Sequence, residues 1–206
     1  PDLPLELGLG GGRAFATVSA ARLGRQPKLC VGYDGRLSSP DLEAALVRGL
    51  VSSGADVLRS GLGPTPMLYF AVKKLDRDGG VMVTGSHNPP DFNGFKLTLS
   101  GLPFWDQDIQ ILGKVISDAE FTDCQGNAAK VTVENDYVER LSAEYTSNQP
   151  LSVAWDAGNG AAGKVIDSLV NRLPGDHLVL NSDIDGTFPS HHPDPTVPEN
   201  LDQLIS

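Results

Sequence analysis

The stretch Thr84-Gly85-Ser86-His87-Asn88-Pro89-Pro90-Asp91-Phe92-Asn93-Gly94-Phe95-Lys96 gathers a hydroxyl, an imidazole, a side-chain amide and a lysine amine into one short segment. A serine hydroxyl becomes a useful nucleophile when a neighbouring group takes up or supplies its proton, so Ser86 beside His87 and Asn88, with Lys96 ten residues on, suits covalent group transfer. Turn chemistry accounts for the glycines, asparagines and prolines of such a loop. It does not account for a Ser-His pair, an amide and a lysine converging on one place.

Other spacings imitate known sites and fail on inspection. Gly158, Gly160 and Gly163 fit the dinucleotide fingerprint, and Gly158 to Lys164 fits most of a phosphate-binding loop. The first lacks a clear acidic residue closing a second strand, and the second has Val165 where a hydroxyl should reach a metal. Close helix–strand packing explains these glycines more simply. Asn181, Asp183, Asp185 and Gly186 begin like a calcium loop, but its twelfth position is His192. His191, His192 and Asp194 lie among Pro189, Pro193, Pro195 and Pro198, which marks a stiff connector rather than a metal cluster.

The elements that must position the Ser86 loop follow from apolar patterning. Leu29 to Tyr33 reads as a buried strand, and Ser39 as the cap of a helix with Pro40 at its first position and Gly54 past its end. Asp56 to Leu58 reads as a strand, Pro66 to Leu75 as a helix, and Gly80 to Thr84 as a strand. The Ser86 loop therefore starts at a strand end, the edge where open α/β sheets bind ligands. Phe95 to Leu99 reads as a further strand, and Trp105 to Ala119 as a helix. Val133 to Ser147 has helical spacing and stops at Asn148-Gln149-Pro150. Leu151 to Trp155, Ala162 to Leu173 and Leu178 to Leu180 then read as strand, helix and strand. The expected fold is α/β, a layered mixed sheet flanked by helices. Residues 1–148 form one complete domain in this reading, and 149–206 the start of a second, similar α/β domain, too small to cover its own apolar faces.

Composition narrows the classes of partner. The chain has 206 residues, of which 40% are apolar and 20% charged, a globular balance. Its formal charge of −10, without a Lys/Arg cluster, argues against nucleic acid as a partner. No apolar run approaches the ~18 residues of a membrane helix. Cys30 and Cys124 make neither a disulfide framework nor a zinc spacing, which with the lack of a signal peptide favours the reducing cytoplasm.

Five segments, in order, carry a resemblance. Val31-Gly32-Tyr33-Asp34-Gly35-Arg36-Leu37-Ser38-Ser39-Pro40, Gly63-Pro64-Thr65-Pro66-Met67, the Ser86 loop, Asp156-Ala157-Gly158-Asn159-Gly160-Ala161-Ala162-Gly163 and Asp185 to Pro195 resemble the α-D-phosphohexomutase family, the phosphomannomutase/phosphoglucomutase enzymes. The resemblance implies that Ser86 carries a phosphoryl group. It implies reversible transfer between the 1- and 6-positions of a hexose phosphate, through a hexose 1,6-bisphosphate that also serves as activator. Lys96 matches the family lysine that acts as general acid or base, a role that burial can favour, and a plain phosphate-binding charge is the alternative. His87 and Asn88 match residues that contact the phosphoserine or shape its loop. Arg36 matches an arginine that could brace the loop through Asp34 or the backbone.

The family's Mg²⁺ takes one phosphoserine oxygen, here on Ser86, and aspartates from an Asp-Gly-Asp-Gly-Asp-Arg loop that residues 1–206 lack. This chain is therefore expected to bind Mg²⁺ poorly. An upstream Asp-Ile-Arg-Gly segment and the family's later sugar- and phosphate-binding loops are also missing, so both ends look cut and the chain alone is expected to be inactive. The Thr-Gly-Ser-His-Asn-Pro and Asn-Gly-Phe-Lys wording fits the phosphomannomutase/phosphoglucomutase branch better than phosphoglucosamine mutases, which resemble Ala-Ser-His-Asn-Pro and Asn-Gly-Ile-Lys. The alternatives are a phosphoglucosamine mutase or a catalytically dead member acting as a binding module.

Overall fold

The computed structural model describes residues 3–147 and 149–206. Asn148, where the sequence divides the two expected domains, lies outside them.

The chain begins with helix α1 (Leu5–Leu23), followed by β1 (Lys28–Tyr33), α2 (Ser39–Ser52), β2 (Asp56–Leu62), α3 (Thr65–Lys74) and β3 (Gly79–Val83). It continues through β4 (Phe95–Leu99), the short β5 (Leu102–Pro103), α4 (Gln107–Ser117), β6 (Asn127–Lys130) and α5 (Glu134–Ser142). After these come β7 (Leu151–Asp156), α6 (Gly163–Val170), β8 (Gly175–Leu180), a 3₁₀ turn (Pro198–Leu201) and α7 (Asp202–Ile205). The first sheet has the order β5-β4-β3-β1-β2-β6. Strands β3, β1, β2 and β6 run parallel, β4 pairs antiparallel with β3, and β5 pairs antiparallel with β4. The expected mixed α/β sheet is therefore present.

The period-two rule divides its core. Leu29 and Val31 of β1, with Val81 and Val83 of β3, face the helical layer that contains Phe15, Leu42, Leu46 and Leu112. Cys30 and Met82, between them, face Met67, Leu68, Ala71 and Val138. Phe15 is fully buried and meets Phe104 edge to face at 5.3 Å between centroids. Helices α1 and α2 cross closely because Gly12 and Gly49 leave room: a Cβ on Gly12 would overlap the Leu46 carbonyl, and one on Gly49 the Leu9 carbonyl.

Several boundaries differ from expectation. Helix α1 and strand β6 were not anticipated. Ser38, not Ser39, occupies the cap position of α2, and Ser39 is its first helical residue. The Ser39 hydroxyl is engaged elsewhere, donating to Asp34 Oδ1 at 2.6 Å. The Val133–Ser147 segment is helical only to Ser142, and the Ala162–Leu173 segment only between Gly163 and Val170. Strand β8 is longer than its apolar Leu178–Leu180 part, because Gly175, Asp176 and His177 extend the parallel ladder to β7. No helix among the described residues is long and apolar enough to cross a membrane.

Candidate active site

Strand β3 delivers the reactive loop to the carboxyl edge of the sheet. Thr84 N–H donates to Gly94 carbonyl at 2.9 Å, which closes the base of the loop, and antiparallel β4 then carries Lys96 back opposite Met82. By this return strand, and not by sequence adjacency, Lys96 Nζ comes to donate to Ser86 Oγ at 3.2 Å. Both residues are exposed, so the burial that would favour an acid–base role for Lys96 is not found in this chain.

Ser86 has φ +54°, in the left-handed region that a non-glycine residue enters at a cost. Its N–H donates to Thr84 Oγ1 at 2.9 Å. The larger restraint comes from Arg36, on the connection between β1 and α2. The Arg36 side chain is fully buried, and a buried charge is tolerated only when it is paired and hydrogen-bonded. Nε donates to Asp34 Oδ2 at 3.2 Å, one terminal nitrogen to the Pro89 and Phe92 carbonyls at 2.5 and 2.9 Å, and the other to the Ser86 and Asn88 carbonyls at 2.9 and 2.8 Å. All five guanidinium donors are thus used, four of them on the main chain of the serine loop. Gly85 lies flat against this group, and a Cβ there would sit 2.5 Å from the guanidinium carbon. Asn93 fastens the far side of the loop, its amide donating to the Ser38 and Ser39 hydroxyls at 3.0 and 2.9 Å.

The remaining predicted residues enter differently. Asn88 takes part through its backbone, its N–H donating to Gly85 carbonyl at 3.0 Å and its carbonyl accepting from Arg36. His87 is exposed, with Nδ1 4.0 Å from Asp194 Oδ1 in the proline-rich connector. A cleft of about 530 Å³ lies between the serine loop and the later part of the chain, lined by Ser86, His87, Lys96, Gly158, Phe188 and His191, among others. A larger hollow of about 1070 Å³ beside Tyr69, Trp105 and Ile109 shares Lys96 but not Ser86.

The glycine-rich segment forms the opposite wall of the cleft. Gly163 packs so closely on the Ser182 carbonyl that a Cβ would overlap it, which gives these glycines a packing role. His191 belongs to an internal pair, with Nε2 2.9 Å from Asp156 Oδ2. Among the described residues no three His, Cys, Asp or Glu side chains are placed to hold a metal. The Asp34 and Asp156 carboxylates near the cleft are already engaged by Arg36 and Ser39, and by Gly158, Asn181 and His191. The residues present do not build a Mg²⁺ site, and Ser86 could contribute to one only through a phosphate.

Phe188 and Asn93 were not singled out from the sequence. Asn93 stands within the same loop as Ser86, which was a usable signal. Phe188 lies in the Asp185–Pro195 segment that carries the resemblance, but its place beside Arg36 depends on how the two parts of the chain pack.

Family models for phosphoglucomutase/phosphomannomutase match this chain twice: alpha/beta/alpha domain I over residues 7–123 and domain II over residues 135–206. It is 40% identical over 195 residues to a phosphomannomutase/phosphoglucomutase of Pseudomonas aeruginosa, and 41% identical over 197 residues to a phosphoglucomutase of Neisseria meningitidis. Each match covers 95% of this chain and 42% of the relative, so the chain spans less than half their length. A crystal structure of a phosphoglucomutase/phosphomannomutase family protein from Burkholderia thailandensis superposes with a TM-score of 0.92 at 41% identity, over 98% of this chain and 46% of the other.

Proposed function

Because the chain belongs to the phosphoglucomutase/phosphomannomutase family, we propose that it is the phosphoserine-bearing part of a hexose-phosphate mutase. One observation carries this reading: Lys96 Nζ donates to Ser86 Oγ at 3.2 Å, at the mouth of a cleft, on a loop whose backbone is held from below. That is the arrangement a phosphoserine needs.

In the direction from enzyme to sugar, the Oγ–P bond breaks while a substrate hydroxyl oxygen closes a new O–P bond and gives up its proton to solvent. A proton from Lys96 Nζ then returns Ser86 to its hydroxyl form. In the reverse direction the same nitrogen, now unprotonated, receives the Ser86 hydroxyl proton as Oγ–P forms, the O–P bond at the other position of a hexose 1,6-bisphosphate breaks, and the freed sugar oxygen takes a proton from solvent. Phosphoryl transfer demands positioning and charge neutralisation more than covalent chemistry. Ser86 is held in place, Lys96 supplies one positive charge, and His87 and the backbone around Asn88 border the phosphate. Mg²⁺, which the family resemblance implies, would supply further neutralisation, and no carboxylate group among the described residues is placed to hold it. The substrates are small hexose phosphates, and the cytoplasm is the compartment that holds them.

The test is Ser86→Ala in the full-length protein, assayed for interconversion of hexose 1- and 6-phosphates, with intact-mass measurement of phosphate on the unmodified protein. Loss of turnover together with a phosphate on Ser86 is expected. Turnover near the parent rate in Ser86→Ala would overturn the nucleophile assignment.

A further inference from the structure

Two residues with left-handed backbone meet on one buried guanidinium. Ser86, at φ +54°, gives its carbonyl to Arg36, and Phe188, at φ +51°, places its ring 5.2 Å from the Arg36 guanidinium carbon. Such outliers persist only where the surroundings over-determine them. Phe188 is held by a turn in which its N–H donates to the Asp185 carbonyl at 3.0 Å, and Asp185 N–H donates to the Asn159 carbonyl at 3.0 Å. Strain on one side of the contact thus belongs to the first part of the chain, and on the other side to the second.

We propose that Arg36 is the positioning residue that fixes Ser86 in its reactive conformation, and that Phe188 seals this clamp from the second domain. The proposal rests on the phosphoserine reading above. Arg36 reaches no substrate, since its five donors are spent on Asp34 and the loop. What it controls is where Ser86 Oγ stands relative to Lys96 Nζ. Phe188 covers the guanidinium with an aromatic ring, the surface to which a desolvated cation is attracted. The seating of the second domain is thereby felt at the serine. An ammonium cannot replace the clamp, because its three donors on a flexible stem cannot reach four carbonyls and a carboxylate together.

The experiment compares Arg36→Lys and Phe188→Leu with the parent, in the full-length protein, by mutase kinetics and by amide hydrogen exchange. Misplacement of a reacting group by about 1 Å costs about 10²-fold in rate, so Arg36→Lys is expected to lose about that factor in kcat with little change in KM. Phe188→Leu is expected to lose about tenfold, the scale of a partly buried cation–π contact. Both are expected to speed exchange in residues 85–93 while leaving β3 protected. Unchanged loop exchange or unchanged kcat in a folded Arg36→Lys protein would overturn the proposal. Should Arg36→Lys lose protection throughout the sheet, Phe188→Leu decides, and unchanged loop exchange there would overturn it as well. If the parent has no mutase turnover, or Ser86→Ala retains it, the functional reading falls while loop exchange still judges the clamp.

Discussion

Asp156 and His191 form a closed pair: Nε2 of the imidazole lies 2.9 Å from Asp156 Oδ2, and Nδ1 lies 3.0 Å from the His192 carbonyl. Both partners are acceptors, so the ring satisfies both only when it carries a proton on each nitrogen.

The pair predicts a pH dependence with a definite sign. The His192 carbonyl, opposed by partial burial and helped by Asp156, raises the His191 pKa above its ordinary 6.5. A raised histidine stabilises the fold fully below the unfolded value and loses that contribution as pH rises through the folded one. Burial pushes Asp156 upward, but hydrogen bonds from Asn181, Gly158 N–H and His191 outweigh it and hold the carboxyl below 3.8, so its contribution is lost only in acid. The His191 ring resonance is expected to titrate with a midpoint above 6.5, and to move down in Asp156→Asn. A midpoint at or below 6.5 in the parent would contradict the pairing.

Lys96 separates proton transfer from simple charge. Lys96→Ala is expected to lower kcat by about 10²–10⁴-fold if it passes a proton to Ser86 Oγ. Lys96→Arg keeps the charge but does not release a proton near neutrality, so it should remain impaired. Recovery of kcat in Lys96→Arg would make the residue a phosphate-binding charge, and a change confined to KM in Lys96→Ala would do the same.

Gly85→Ala should damage the loop without touching the chemistry directly. The new methyl would meet the Arg36 guanidinium, and overpacking of this kind costs about 1–3 kcal/mol. The expected outcome is a large fall in turnover with circular dichroism unchanged. Parent-like kinetics would show that the loop can yield at this point.

The two thiols should differ sharply in reactivity. Burial pushes the Cys30 thiol up to about 11, whereas Cys124 is exposed. A disulfide reagent at mild alkaline pH is expected to label Cys124 at once and Cys30 only on unfolding, because the thiolate is the reactive form. Rapid labelling of Cys30 in the native protein would contradict its place under α3.

In the core, Phe15→Ala removes a fully buried ring and its edge-to-face partner contact with Phe104, for an expected loss of about 3–5 kcal/mol in urea unfolding. A loss below about 1 kcal/mol would mean that α1 adds little to the stability of this layer.

Much of the fold was legible because burial on both faces writes itself as short apolar runs, as in Leu29–Tyr33 and Gly80–Thr84. Helix α1 was not, since Gly8, Gly10, Gly11 and Gly12 depress its intrinsic propensity, and packing on α2 stabilises it instead. Strand β6 was hidden for the opposite reason: Asn127–Lys130 is an exposed edge with no alternation to read. At the site, Ser86 and Lys96 stood out by type and spacing. Arg36 could be seen as a brace toward Asp34 or the backbone, but the four carbonyls it binds lie 50 to 56 residues away. No local pattern encodes that reach. Ser39 misled because a serine before Pro40 normally caps, whereas here the Asp34 carboxylate claims its hydroxyl.

The guanidinium of Arg36 holds the loop by oxygens that every residue type possesses. It therefore has no means of sensing which side chains the loop displays. Variation at His87 can change what the cleft displays while the path of the chain through Ser86 stays the same. Shape and display are separable in this loop, so its side chains can change without rebuilding the backbone that carries Ser86.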